Sequence, residues 1–112
     1  MVINTNYAQI SNKQQPVTIK NFTIYEKDAK LFIDWATDGS VTTNIWKVQS
    51  STDKIQFTTI AFVLGNDPGQ QGDNYKYKEK LKEYNKGIMY YRLCHVDTNG
   101  NEQFTEILSP AK

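Results

Sequence analysis

One cysteine, one histidine and no apolar run of membrane length set the first limits on this 112-residue sequence. A single thiol closes no internal disulfide, so cysteine usage does not fix a redox compartment. A zinc site takes three or four Cys, His or carboxylate ligands, and one Cys with one His supplies too few. No segment approaches the roughly 20 apolar residues of a membrane helix. None carries a helical period beyond a single turn in KEKLKEYNK, and there is no internal repeat. The opening MVINTNYAQISNKQQ lacks a basic stretch followed by an apolar one, so no secretory leader is legible. A cytoplasmic protein is the plain expectation from that, and a domain cut from a longer exported chain is the other. Thirteen Lys and Arg against twelve Asp and Glu leave a net charge of +1. Such a balance offers no field for nucleic acid, a membrane surface or a polyanion.

What the sequence does have is a series of short β-rich runs. Residues 1–14, rich in Asn, Gln and Ser, read as a flexible tail, and residues 15–112 as one domain. VTIKNFTIY (17–25) alternates imperfectly, with a bulge expected near Asn21. AKLFIDWAT (29–37) puts Leu31, Ile33 and Trp35 on one face, and NIWKVQS (44–50) does the same with Trp46 and Val48. IQFTTIAFVL (55–64), NYKYKEK (74–80), IMYYRLCHV (88–96) and QFTEILS (103–109) complete seven strands. Turn residues every 8–12 positions make the expectation an all-β, seven-stranded antiparallel sandwich. Strands one, two and five should face three, four, six and seven. The expected core is Ile19, Phe22, Leu31, Ile33, Trp35, Trp46, Val48, Phe57, Tyr75, Tyr77, Tyr91 and Leu93. Asn99-Gly100 should close the last hairpin as a type I′ turn, which needs positive φ at both positions.

With the strands in place, LFIDWAT, WKVQSSTDKIQFTTI, NYKYKE and GIMYYRLCHVDTNGNEQFTEIL together resemble a fibronectin type III/immunoglobulin-like β-sandwich. The version they are most similar to is that of Bacteroidetes-type secreted or cell-surface proteins, where it precedes a C-terminal sorting segment. No such segment follows the last strand before Lys112. The similarity covers about residues 15–109. Trp46 stands where that family usually has Phe, Ser50 where it has Arg, Lys54 where it has Gly, and Cys94-His95 where it has Lys-Gln. The resemblance implies no catalytic residue and no cofactor. It implies a secreted or cell-surface structural, adhesion or spacer module, whose partners are neighbouring domains or other surface proteins.

The reactive residues cluster in YYRLCHVDTNG (90–100). Strand alternation sends Tyr91, Leu93 and His95 one way and Tyr90, Arg92 and Cys94 the other. Adjacent Cys94 and His95 therefore cannot act as nucleophile and base unless a bulge re-aims one of them, since that pairing needs hydrogen-bond reach. Tyr91 stands where a tyrosine corner would be and should be buried. Cys94, where the resemblance expects Lys, should be an exposed thiol of ordinary pKa. Asp97, Asn99 and Asn101 have the odd spacing of a calcium loop, but the Gly at position six and the Glu at position twelve are missing, which favours a plain turn. YKYKEKLKEYNK (75–86) has lysines between aromatics, better explained as protection of a sheet edge than as a nucleic-acid surface. NFT (21–23) matches a glycosylation pattern within a strand and carries no weight.

One surface remains. Ile45, Lys47, Phe62, Tyr90 and Arg92 share the outward face of the larger sheet, more apolar than a solvent face requires. Such a face suits docking of a partner protein. Stacking of a polysaccharide on an aromatic platform, as in a carbohydrate-binding module, is the alternative. The chain itself is expected to be a monomer with no membrane span. A hydrolase ranks third, since no triad, carboxylate pair or metal set stands at usable spacing.

Overall fold

The computed structural model describes residues 17–38, 43–65, 74–81 and 87–111. The tail expected over 1–14 lies outside them, as do residues 82–86 of KEKLKEYNK, whose opening residues 78–80 are extended strand and not the helical turn expected. Seven strands follow in order: β1 (Ile19–Lys27), β2 (Lys30–Thr37), β3 (Thr43–Ser51), β4 (Thr58–Leu64), β5 (Asn74–Lys80), β6 (Tyr90–Asp97) and β7 (Glu102–Phe104). They form two antiparallel sheets, ordered β1-β2-β5 and β4-β3-β6-β7. This all-β architecture divides the strands between the two sheets as expected, one, two and five in one and three, four, six and seven in the other. The chain crosses between sheets after β2, β4 and β5, so it is no simple up-and-down order. Val17 leads into the start of β1, and Ala111 bridges to Tyr25 near its other end.

The two sheets meet through their aromatic residues. Trp35 of β2 sits edge-on to Trp46 of β3 at 5.5 Å between ring centroids. Tyr75 of β5 stacks flat on Trp35 at 5.5 Å and tilts onto Trp46 at 5.3 Å. Leu31, Ile33, Val48, Tyr91 and Leu93 close around this centre, with Ile24 from the first strand and Val17 just before it. In β2 the period of two holds from Lys30 to Trp35, burying Leu31, Ile33 and Trp35, and Ala36 and Thr37 at its end are buried as well. β1 needs a register break between Lys20 and Thr23, and Asn21 takes a φ of 56° there, a bend that brings both Phe22 and Ile24 to the core.

Three expectations are corrected. Residues 55–57 leave the fourth strand, because the Ser51 hydroxyl accepts the N–H groups of Asp53 and Lys54 and the Asp53 carboxylate accepts those of Ile55 and Gln56. This compact turn holds Lys54 at a φ of 68°, a left-handed conformation that glycine adopts more readily than lysine. Phe57, expected in the core, lies on the outer face, beneath the Arg92 guanidinium. The cause is a register shift. Val48 pairs with Ala61 but Gln49 pairs with Thr59, so Ile60 is an extra residue, and every position before it changes face.

The third correction is the last hairpin. Gly100 has a φ of 86°, but Asn99 has no positive φ. Gly100 N–H bonds the Asp97 carbonyl at 3.0 Å, and Asp97 N–H bonds the Asn101 carbonyl at 3.0 Å. The loop is thus a three-residue turn with glycine in the left-handed position, not a two-residue I′ turn. Asp97 imposes it: its carboxylate accepts from the backbone N–H groups of Asn99 and Asn101 and from the Asn101 side chain.

Candidate functional site

The outer face of β4-β3-β6-β7 is built in rows that follow the pairing register. Leu64, Ile45 and Val96 lie side by side across β4, β3 and β6, and Glu102 of β7 continues the row. The next row runs Phe62, Lys47, Cys94 and Phe104. The third runs Thr59, Gln49 and Arg92. Phe62 and Leu64 are 63% and 77% exposed, so the β4 side of the face is apolar and open.

Arg92 is the most constrained charge on this face. Its guanidinium carbon lies 4.0 Å from the Phe57 ring centroid and 4.1 Å from that of Phe104. Its Nε–H donates to Gln49 Oε1 at 2.7 Å, and Gln49 Nε2 donates to Thr59 Oγ1 at 3.1 Å. Stacking between two rings with one edge hydrogen-bonded fixes the plane of the guanidinium. Beside it, Lys47 Nζ donates to Glu102 Oε2 at 2.9 Å.

The five residues singled out by alternation share the face but form no continuous platform. Ile45, Lys47 and Phe62 are neighbours across β3 and β4. Tyr90 pairs with Ser51, well along the sheet from the row of Phe62, and the Lys54 ammonium lies 4.8 Å from its ring centroid. Both rings flanking Arg92 already spend a face on the guanidinium. Leu64, Gln49, Phe57, Phe104 and Glu102 join this surface unannounced. Leu64 has the parity of Phe62 and was readable as such, whereas Phe57 depends on a bulge that carries no sequence signal.

Cys94 keeps the expected parity, opposite Leu93, yet it is buried rather than solvent-facing. Lys47 and Phe104 flank it across the pairing register and, with Glu102 and Arg92, close over it. Burial first, then the neighbouring Glu102 carboxylate and a hydrogen bond to it, push the thiol above its ordinary pKa, against the opposing pull of Lys47 and Arg92. This is the reverse of an activated thiolate.

His95 points into the core, 4.8 Å from the Trp46 ring, and its Nε2 lies 2.9 Å from Thr43 Oγ1. Burial lowers its pKa, against the pull of the Asp97 carboxylate. Burial also pushes the Asp97 carboxyl up, but the hydrogen bonds from Asn101 and Asn99 and the nearby His95 leave it below its ordinary pKa. Tyr91 is buried, and desolvation with the Glu79 and Glu26 carboxylates nearby raises its pKa to about 12. Among the described residues no three His, Cys, Asp or Glu side chains gather where a metal could bind. No helix of the described residues is long and apolar enough to cross a membrane. Comparison with protein-family models and with curated proteins found no match for the chain.

Proposed function

We propose that this chain is a non-catalytic structural or adhesion module of an exported bacterial protein, fibronectin type III-like in type, that docks a partner protein on the outer face of its four-stranded sheet. The observation that carries the reading is the pairing of an open apolar strip, Phe62 and Leu64, with a guanidinium held rigid between Phe57 and Phe104. A fixed Arg on β6 and exposed apolar side chains on β4, sharing one sheet face, have the composition of an interface, because little freedom of the Arg92 side chain is left to lose on binding. Export and the family type rest on the sequence resemblance, which the strand partition supports.

The carbohydrate reading is the weaker one on this geometry. A sugar ring needs a free, wide aromatic face, and Phe62 stands apart from Tyr90, whose ring is partly covered by Lys54. The test is site-specific photo-crosslinking in the source cells, with the cross-linker at Phe62 or, as control, at Lys76 on the other sheet. An adduct of one defined mass from position 62 alone is expected, along with digestion of the protein by protease added outside intact cells. Equal adducts from both positions would overturn docking on this face; full protection from protease would overturn export.

A further inference from the structure

We infer that the chain self-associates through the open edge of β4, two copies pairing antiparallel about a two-fold axis so that their four-stranded sheets become one. The two sheets have four edge strands, β1, β5, β4 and β7, and each unpaired edge invites strand addition unless something blocks it. β5 carries exposed Lys76, Lys78 and Lys80. β1 is met by the chain's last described residue, since Glu26 N–H bonds the Ala111 carbonyl at 3.1 Å and Ala111 N–H bonds Ile24 at 3.0 Å. β7 is three residues long, and the Gln103 side chain ties up both the N–H and the carbonyl of Val17.

Among the described residues β4 has none of these. Thr58–Leu64 contains no charged residue and no proline, and among the described residues no strand pairs with its outer side. The bulge at Ile60 bends one end, but Ala61 to Leu64 runs regularly against β3. Gly65 N–H points inward to the Asn44 carbonyl, so antiparallel alternation turns the N–H groups of Phe62 and Leu64 toward the open side.

A second copy suits this edge better than a charged peptide. A two-fold axis at Phe62 sets Phe62 against its own mate and Ala61 against Val63, with Leu64 next to the bulged Ile60, apolar beside apolar and no like charges brought together. The nearest cation, Lys47, is already paired with Glu102. The strand and three partly exposed side chains offer well under the roughly 800 Å² per partner of a standard interface. The dimer is therefore weak, with a dissociation constant on the order of 100 μM. The monomer expected from the sequence is its dilute state. This inference stands on the sheet's edge and does not depend on the partner proposed for its face.

Sedimentation equilibrium on the purified chain, from about 10 μM to about 1 mM, brackets that constant. The apparent mass should rise from 12.9 kDa toward twice that value and stop there. Phe62→Lys should keep the chain monomeric, because it sets two like charges opposite each other on the axis, and Leu64→Lys should weaken the dimer by setting a charge against the apolar Ile60. Both side chains are exposed, so both variants fold. Ile88→Lys, on an exposed apolar residue elsewhere, should dimerise as before. Hydrogen exchange should slow at the Phe62 and Leu64 amides as concentration rises. A monomer throughout, growth beyond two copies, or a dimer indifferent to Phe62→Lys would each overturn the inference.

Discussion

A neutral His95 ring buried against Trp46 ties the stability of this protein to pH. Burial holds the folded pKa below the ordinary 6.5, so as pH falls the unfolded chain takes up the proton first. The contribution of His95 is complete above pH 6.5 and is lost as pH falls from there through the folded pKa. Asp97, also depressed in the fold, adds a second loss only below its ordinary value of 3.8. Thermal melts should therefore show a falling Tm between pH 7 and 5, and a His95→Gln variant should flatten that slope. An unchanged slope in the variant would place the titrating group elsewhere. The direction of this side chain was legible in the sequence, because alternation fixes which face a strand residue takes. Its neighbour Cys94 shows where legibility ends. Parity put the thiol on the outer face correctly, but an outer face is exposed only where nothing leans over it. Lys47 and Glu102, 55 positions apart in the chain, meet above this sheet, and no local pattern announces that closure.

Among the elements, the regular strands were readable and the irregularities that aim side chains were not. β2 and β5 follow their alternation from end to end, since nothing interrupts the pleat. β4 does not: the single extra residue at Ile60 moves Phe57 from the core to the side of Arg92, and an insertion of one apolar residue leaves composition unchanged. The β6–β7 hairpin makes the same point through a polar residue. Asn-Gly is a genuine turn signal, but Asp97 two positions earlier accepts three hydrogen bonds and so chooses the turn. The buried acceptor should matter more than the exposed asparagine. Asp97→Ala leaves the Asn99 and Asn101 N–H groups without their acceptor, whereas Asn99→Ala removes only an exposed side chain. Urea unfolding of the two variants should show a clearly lower midpoint for Asp97→Ala and one near the parent for Asn99→Ala. The reverse order would return the turn to Asn99-Gly100.

At the scale of the whole molecule, the two sheets are joined by the core, by the Gln103 side chain on the backbone of Val17, and by a stretch of backbone that visits both. After β7 the chain exchanges two hydrogen bonds with Tyr91 at Leu108, then crosses to exchange two more with β1, from Ala111 to Ile24 and Glu26. Leu108 also packs against the core on the way. The sequence marked this segment only as the tail of a seventh strand, because a run that pairs first with one sheet and then with the other has no period of its own. Four backbone hydrogen bonds at a net 0.5–1.5 kcal/mol each come to roughly 2–6 kcal/mol, and the freed chain entropy offsets part of that. Deleting residues 108–112 should therefore cost about 3 kcal/mol, or more than ~10 °C in Tm for a domain of this size. Deleting only 110–112 should release the Glu26 amide to hydrogen exchange while Tyr91 stays protected, because only the second pair of bonds is lost. If the longer deletion left Tm within about 2 °C of the parent, far less than the loss expected for these bonds, the strap would be a passive tail and the core with the Gln103–Val17 bonds would hold the sheets together.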